Sequence, residues 1–213
     1  MSATPGLESH RVQPAHQAAR GRWAAAMATL LSHVFSPALL GTLVLVSIPL
    51  RHPETAWPAT LVAVAFTMAI PWLALVAMRW SGRVSDMHVT RREQRWPLLL
   101  IAFGSILTGL GVLTATAAPA VVVAEVGLFL LGLLIVGTVN LFWKLSIHAA
   151  VASFAALYCV LLLPLGAHLA VIVVALVGWS RVRIGHHTPG QVLAGTVVGV
   201  VVSLGGLLPL FPA

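Results

Sequence analysis

The sequence predicts an all-α integral membrane protein, a polytopic helical bundle with six to seven transmembrane helices. Of its 213 residues, 59% are apolar and only 8% are charged, whereas about a quarter of the residues in a typical soluble domain are charged. The apolar residues form long continuous segments, which favours helices over the alternating short strands of a membrane β-barrel. This composition excludes a soluble enzyme, a disordered chain and a fibrous protein.

Seven apolar segments follow one another along the chain. They cover residues 24–50, 57–78, 97–118, 119–142, 149–166, 167–180 and 190–209. A helix needs about 20 apolar residues to cross the hydrocarbon core, and five of the segments reach this length. The fifth and sixth segments reach it only if their helices extend over residues 146–148 at one end and 179–181 at the other. If one of these two segments is re-entrant, six spans remain.

The polar residues 1–22 predict a flexible cytoplasmic tail, and residues 23–213 predict a single transmembrane domain. Pro37, Pro71 and Pro164 lie within or at the ends of the segments, where we expect neighbouring helices to satisfy the freed backbone groups. The single cysteine, Cys159, excludes an intrachain disulfide. The Gly195-x-x-x-Gly199 spacing predicts a close contact between helices.

The basic residues are distributed asymmetrically between the two faces that seven spans define. Eleven of the twelve Lys and Arg residues lie on one face, and only Arg51 lies on the other. By the positive-inside rule, the basic face and the N-terminus are cytoplasmic, most simply in the plasma membrane. The net charge of +7 does not indicate nucleic-acid binding, because the basic residues lie between apolar segments rather than in a basic domain.

Three polar clusters lie on the basic face, within residues 80–97, 143–148 and 180–191. Their chemically versatile side chains are Asp86, His88, Arg91, Arg92, Glu93 and Arg95 in the first, Lys144, Ser146 and His148 in the second, and Ser180, Arg181, Arg183, His186, His187, Thr188 and Gln191 in the third. The first cluster also fits a basic loop that binds anionic lipid, and His148 also fits a residue at the membrane interface.

Two predicted helix N-termini place histidines beside the arginines. Ser146 is a candidate N-cap with His148 in the first turn, and Thr188-Pro189-Gly190-Gln191 is a candidate capping box that puts His187 just before a helix. Helix N-termini attract anions, and arginine forks pair with phosphate oxygens. We therefore expect a pocket for phosphate or diphosphate, attached to an apolar tail.

The third cluster resembles the signature of the type 2 phosphatidic acid phosphatase superfamily, which is Ser-Arg, five residues, His, three residues, Asp. Here the pattern is Ser180-Arg181, His187 and then Gln191 in place of Asp. The family's Lys, six residues, Arg-Pro element is echoed by His88 and by Arg95-Trp96-Pro97. Its Pro-Ser-Gly-His element is echoed by Leu145-Ser146-Ile147-His148, so the resemblance covers about residues 86–195.

This resemblance implies a helical membrane core and a phosphatase that needs neither metal nor cofactor. His187 would attack phosphorus to form a phosphohistidine, and His148 would protonate the leaving alkoxide. The implied phosphate-binding residues are Arg95, Arg181 and Ser146, with Arg91, Arg92, His88 and Lys144 as further candidates. Gln191 stands where the family has the carboxylate that orients the nucleophile, and Asp86 or Glu93 could supply that charge from another loop.

The expected substrates are lipid phosphates or diphosphates, with prenyl (isoprenoid) diphosphates favoured, and the expected surroundings are the lipid bilayer. Two alternatives stay open. One is a membrane lyase or terpene cyclase that ionises a prenyl diphosphate in the same pocket. The other is a catalytically degenerate protein that binds lipid without turnover. The oligomeric state is left open.

Overall fold

A computed structural model describes residues 15–86, 89 and 94–207, and every regular element within them is helical. The helices are α1 (Ala15–Val34), α2 (Pro37–Val46), α3 (Ile48–Arg51), α4 (Trp57–Val64), a π-helical segment (Ala65–Ala69), α5 (Ile70–Trp80), α6 (Arg95–Ala115), α7 (Ala120–Phe142), α8 (Ile147–Leu162), α9 (Gly166–Arg183) and α10 (Pro189–Leu207). The predicted all-α class is confirmed. Because α1 begins at Ala15, it includes the end of the segment 1–22 that the sequence predicts as a tail.

The described residues contain six helical stretches that are long and apolar enough to cross a bilayer. They are Gly21–Arg51, Trp57–Trp80, Arg95–Ala115, Ala120–Phe142, Gly166–Arg183 and Pro189–Gly206. A seventh apolar stretch, Ile147–Val160 in α8, is shorter. The structure therefore agrees with six to seven spans, and the protein is a multi-pass membrane protein. α9 extends past residue 180 to Arg183, as the prediction of a span there requires, whereas α8 begins at Ile147 but ends at Leu162, so its 16 residues stay short of the length of a full span.

The first apolar segment, 24–50, contains a break that the hydropathy pattern does not show. α1 ends at Val34, and α2 begins at Pro37 with Ser36 as its N-cap, whose Oγ accepts a hydrogen bond from the Leu39 amide at 3.4 Å. Proline lacks an amide hydrogen and disfavours the helical conformation at the preceding residue, and Ser36 accordingly has a ψ of 150°. The break lets α1 and α2 follow different neighbours, since α1 packs on α9 and α2 packs on α8.

Pro71 is accommodated without a break in the second span. Proline cannot donate to the carbonyl four residues earlier, and the π-helical segment Ala65–Ala69 lies immediately before α5. From α6, the hydroxyl of Ser105 donates to the carbonyl of Phe66 at 2.5 Å. A neighbouring helix thus satisfies a backbone group next to the irregular turn, as expected for proline in a membrane helix.

The centre of the bundle is α8, which packs against α2, α9 and α10. Its contact with α10 is close because α10 carries glycine at both crossing points. A Cβ atom at Gly195 would overlap the carbonyl oxygen of Ser146, and one at Gly199 would overlap that of Ala150. The predicted close contact at these two glycines is confirmed, and it sets the N-termini of α8 and α10 side by side.

The C-termini of α5, α7 and α9 and the N-termini of α6, α8 and α10 lie at the same end of the bundle. Exposed tryptophans ring this end, namely Trp80, Trp96, Trp143 and Trp179. Tryptophan is enriched where the hydrocarbon core meets the headgroups. The ring therefore marks the membrane interface at the end of the bundle that carries the three polar clusters.

The opposite end contains a buried ion pair. Nη2 of Arg51 lies 3.1 Å from Oε1 of Glu125, and both side chains are nearly buried, with exposures of 11% and 7%. The hydroxyl of Tyr158 donates to Oε2 of Glu125 at 2.7 Å, and the Arg51 guanidinium lies 4.6 Å from the centre of the Tyr158 ring. These contacts join α3, α7 and α8. Arg51 is therefore a partner inside the bundle rather than a charge in a loop.

Candidate active site

The N-termini of α8 and α10 meet through their backbones. The amide of Ser146 donates to the carbonyl of Gln191 at 3.2 Å. Ser146 is fully buried and caps α8, because its Oγ accepts from the Ala149 amide at 3.3 Å. This confirms the predicted N-cap. His148 is the second residue of α8 and lies half-buried in its first turn, next to the contact between Ser146 and Gln191.

The third cluster folds into a tight turn between α9 and α10. Gly185 has a φ of 72°, and the amides of His186 and His187 both donate to the carbonyl of Arg181, at 3.1 and 3.2 Å. The Thr188 amide donates to Oε1 of Gln191 at 3.1 Å, and the Gln191 amide donates to Oγ1 of Thr188 at 3.3 Å. The predicted capping box is confirmed, and it holds His187 immediately before α10.

The imidazole of His187 is buried in a positively charged environment. Burial, followed by the charges of Arg181, Lys144 and Arg95, lowers its pKa to about 3, while Gln191 opposes the shift. Its Nδ1 is buried and has no hydrogen-bond partner among the described residues. The amide oxygen of Gln191 is engaged by the cap of α10. His187 is therefore neutral at pH 7, so one of its two ring nitrogens carries a lone pair.

Arg181 is a buried cation held by neutral groups. It is 2% exposed, its Nη1 donates to Oγ of Ser32 at 3.0 Å, and its Nη2 donates to Nδ1 of His186 at 2.9 Å. Its buried Nε has no partner, and no carboxylate of the described residues lies within ion-pair distance. Burying an uncompensated charge costs several kcal/mol, so this guanidinium favours an anion beside it.

Arg95, at the start of α6, is held in a similar way by neutral oxygens. Its Nη1 donates to Oδ1 of Asn140 at 2.8 Å, and its Nε donates to the carbonyl of Val89 at 2.9 Å. Asn140 is itself fixed, because its Nδ2 donates to the carbonyl of Val136 at 2.8 Å. Val89 has a φ of 44°, which is strained for a β-branched residue. This strained backbone directs a carbonyl at the arginine.

Lys144 and Asp86 complete the electrostatics of the site. Burial lowers the pKa of Lys144, and the charges of Arg95 and Arg181 lower it further, while Asp86 opposes them. Burial and Arg181 likewise lower the pKa of His186, again against Asp86. Asp86 Oδ2 accepts from the Ser85 hydroxyl at 3.1 Å. Among the described residues, the site thus combines the cations Arg95, Lys144 and Arg181 with two histidines of lowered pKa, His186 and His187, and the nearby carboxylate of Asp86.

The structure therefore brings members of all three predicted clusters to one end of the bundle. The residues assembled there are Asp86, Arg95, Lys144, Ser146, His148, Arg181, His186, His187 and Gln191. His88, Arg91, Arg92 and Glu93 lie outside the described residues. The orienting roles of Gln191 and Asp86 stay predictions. Over the described ranges, no group of three or more His, Cys, Asp or Glu side chains is placed to hold a metal ion.

Two site residues, Ser32 and Asn140, were not among the sequence predictions. Both are polar residues inside apolar segments, Ser32 in 24–50 and Asn140 in 119–142, and both are buried. Polar side chains within membrane spans usually face a partner or a functional cavity. That rule could have drawn attention to them, but it could not have named the arginine that each contacts.

The comparison with protein families finds a match in the C-terminal part of the chain. Residues 137–208 match the PAP2 superfamily, which is about a third of the chain and contains the second and third clusters. No curated protein and no solved structure matches the chain. The match includes Ser146, His148, Arg181 and His187, and it supports a phosphatase-type hydrolase function in general. These residues lie together at one end of a helical membrane bundle, and the match over residues 137–208 supports membership of the type 2 phosphatidic acid phosphatase superfamily.

Proposed function

We propose that the protein is an integral membrane phosphatase that hydrolyses lipid phosphates or diphosphates, with prenyl diphosphates as the favoured substrates. The observation that carries this proposal is Arg181, a buried guanidinium without a carboxylate partner among the described residues, beside the neutral imidazole of His187. Positive donors and a free lone pair in one place suit attack on a phosphoryl group.

The proposed reaction proceeds in two displacements. A ring nitrogen of His187 attacks phosphorus as the bond to the leaving oxygen breaks, and His148 donates a proton to that oxygen. Water then attacks the phosphohistidine, with His148 taking its proton, so that inorganic phosphate leaves and His187 is regenerated. Arg95, Arg181 and Ser146 stabilise the charge on the phosphoryl oxygens throughout.

Asp86 is proposed to take over part of the role that a carboxylate at position 191 has in the family. The Gln191 oxygen caps α10, and the Nδ1 of His187 has no partner in the described structure. The negative charge of Asp86 reaches Arg181, Lys144 and His186. Asp86 thus acts on the neighbours of His187 rather than on its ring, and this indirect compensation stabilises an imidazolium less than a direct hydrogen bond does, so we expect a slow enzyme.

An apolar cavity beneath the site supports a substrate with a hydrocarbon tail. It has a volume of about 150 Å³ and lies between α6, α7, α8, α10 and the π-helical segment. Its lining begins at Ile147 and Ala150, on either side of His148 along α8, and includes Phe129, Phe154 and Val202 deeper in the bundle. A cavity of this size accepts a benzene-sized apolar group, which is comparable to one isoprene unit.

We expect Gly132→Leu to shift substrate preference towards shorter tails. A Cβ atom at Gly132 would lie 3.9 Å from Val202, and both residues line the cavity, so a leucine there fills it. The ratio of kcat/KM for a fifteen-carbon over a ten-carbon prenyl diphosphate should fall about tenfold, which corresponds to the burial of roughly two methylene groups. Gly127→Leu on the same helix is the matched control. A Cβ atom at Gly127 would have no neighbouring atom within 4 Å, so this variant should leave the ratio unchanged.

The lowered pKa of His187 predicts a neutral imidazole far into the acid range. In ¹⁵N NMR of histidine-labelled protein, the His187 signals, assigned by their absence in His187→Asn, should remain those of a neutral ring at pH 5. An ordinary imidazole with a pKa near 6.5 is about 97% protonated there. Because the unfolded chain takes up this proton first, the same shift lowers stability as the pH falls from about 6.5 towards about 3. A midpoint near pH 6.5 for His187 would contradict the buried, cationic site.

The direct test of the function is release of inorganic phosphate by the purified protein. Phosphatidate and prenyl diphosphates are compared in detergent micelles with chelator present, and the organic product is identified. A linear prenyl alcohol or monophosphate supports the proposal. A cyclic hydrocarbon with release of pyrophosphate would establish the lyase alternative, and the absence of turnover with every lipid would establish the degenerate one.

We further propose that the site faces the cytoplasm at the plasma membrane. Arg79, Arg83, Lys144 and Arg183 lie at the site's end of the bundle. At the opposite end, Arg51 is neutralised by Glu125. The asymmetry of free positive charge favours a cytoplasmic site, and substrates would then come from the cytosol or the inner leaflet.

A further inference from the structure

We infer that Ser32 of α1 and His186 are positioning residues that hold the Arg181 guanidinium so that its remaining N–H groups face the phosphate. The inference rests on the proposed function, because it assigns Arg181 to the phosphoryl oxygens. It adds a component that the family match does not contain, since Ser32 lies more than a hundred residues before the matched segment 137–208.

The geometry places one acceptor at each terminal nitrogen of Arg181. Oγ of Ser32 accepts from Nη1 at 3.0 Å, and Nδ1 of His186 accepts from Nη2 at 2.9 Å. Ser32 is itself fixed, because its hydroxyl lies 3.2 Å from that of Ser180, which donates to the Val177 carbonyl at 2.8 Å. Ser32 is 1% exposed. The guanidinium therefore cannot rotate without breaking two hydrogen bonds in a buried environment.

The contact with His186 also determines the state of that imidazole. Arginine has five N–H donors and no acceptor, so Nδ1 of His186 must carry the lone pair and the proton must lie on Nε2. Among the described residues, Arg181, Asp86 and Lys144 are charged groups that act on this ring. A protonated His186 would place two cations against each other and lose the hydrogen bond, so the arrangement requires a neutral ring.

Because Ser32 and His186 are neutral acceptors, they leave the positive charge of Arg181 uncancelled, as carboxylates would not. Two of the five N–H groups of Arg181 are used by Ser32 and His186, while the buried Nε has no partner among the described residues. A carboxylate in either position would cancel the charge before the substrate arrived. Serine and neutral histidine fix the orientation and leave the full positive charge, together with Nε–H, for an anion.

The test measures binding of inorganic phosphate to the detergent-solubilised full-length protein, by ³¹P NMR titration and independently of turnover. His186→Ala and Ser32→Ala should each weaken the affinity for phosphate about tenfold, which is typical for loss of a hydrogen bond to a charged group. His186→Asn keeps an acceptor near the position of Nδ1 and should restore the affinity to within about threefold of the wild type. KM should follow these changes more closely than kcat.

Ser203→Ala is the matched control for Ser32→Ala. Ser203 is also a buried serine, 2% exposed, with its hydroxyl on the Val200 carbonyl of its own helix. If Ser32→Ala and Ser203→Ala have the same phosphate affinity, the role of Ser32 is overturned. If His186→Asn binds phosphate as weakly as His186→Ala, the role of His186 as an acceptor is overturned. A wild type that binds phosphate but hydrolyses no lipid would overturn the proposed function alone, because the binding comparison still decides this inference.

Discussion

Replacing His187 with alanine should lower the rate of phosphate release by at least about a thousandfold. The substitution removes the proposed nucleophile, and the adjacent His186 cannot replace it, because its Nδ1 accepts from Arg181. Loss of an activated nucleophile typically costs several orders of magnitude in kcat. The measurement is phosphate release from a prenyl diphosphate under single-turnover conditions, with binding of inorganic phosphate recorded in parallel.

The matched control is His168→Ala. His168 is an exposed histidine near the start of α9, at the end of the bundle opposite the site, and its loss should leave the rate unchanged. A His187→Ala variant that retains more than about a tenth of the wild-type rate would eliminate the phosphohistidine mechanism. If that variant still binds phosphate while turnover disappears, the imidazole acts in the chemical step rather than in holding the ligand.

Local signals in the sequence predicted much of the framework of the site. Serine and threonine cap helices by accepting from amides two or three residues ahead, and both predicted caps, at Ser146 and Thr188, are present. These caps fix where α8 and α10 begin. Gly195 and Gly199 predicted the contact that aligns the two helices. Each of these features depends on residues close together in the sequence, which is why a pattern could reveal them.

Side-chain contacts between distant residues could not be predicted in the same way. Ser32 and Arg181 are 149 positions apart, and Arg95 and Asn140 are 45 apart. Which polar residue of a span meets which arginine depends on how each helix is rotated, and hydropathy does not specify that rotation. The break before Pro37 is an example, because it frees α1 to bring Ser32 to the end of α9.

The second large effect is expected at the opposite end of the bundle, where Glu125→Ala should destabilise the protein without changing its chemistry. The substitution leaves Arg51 as an unpaired charge and the hydroxyl of Tyr158 without its acceptor. Breaking a buried pair by removing one partner costs about 3–5 kcal/mol. The midpoint of thermal unfolding in detergent should fall by roughly 10 °C, while kcat at a temperature where the variant is folded should stay at the wild-type value.

A double variant separates the cost of an orphaned charge from the value of the pair. Arg51→Met combined with Glu125→Leu replaces both partners by apolar side chains, and replacing a buried pair in this way is often neutral. It should therefore recover most of the stability lost in Glu125→Ala. Glu54→Ala is the control, because Glu54 is 72% exposed and lies 3.4 Å from His52 at the surface, where ion pairs contribute little. A double variant no more stable than Glu125→Ala would show that the pair itself holds α3, α7 and α8 together.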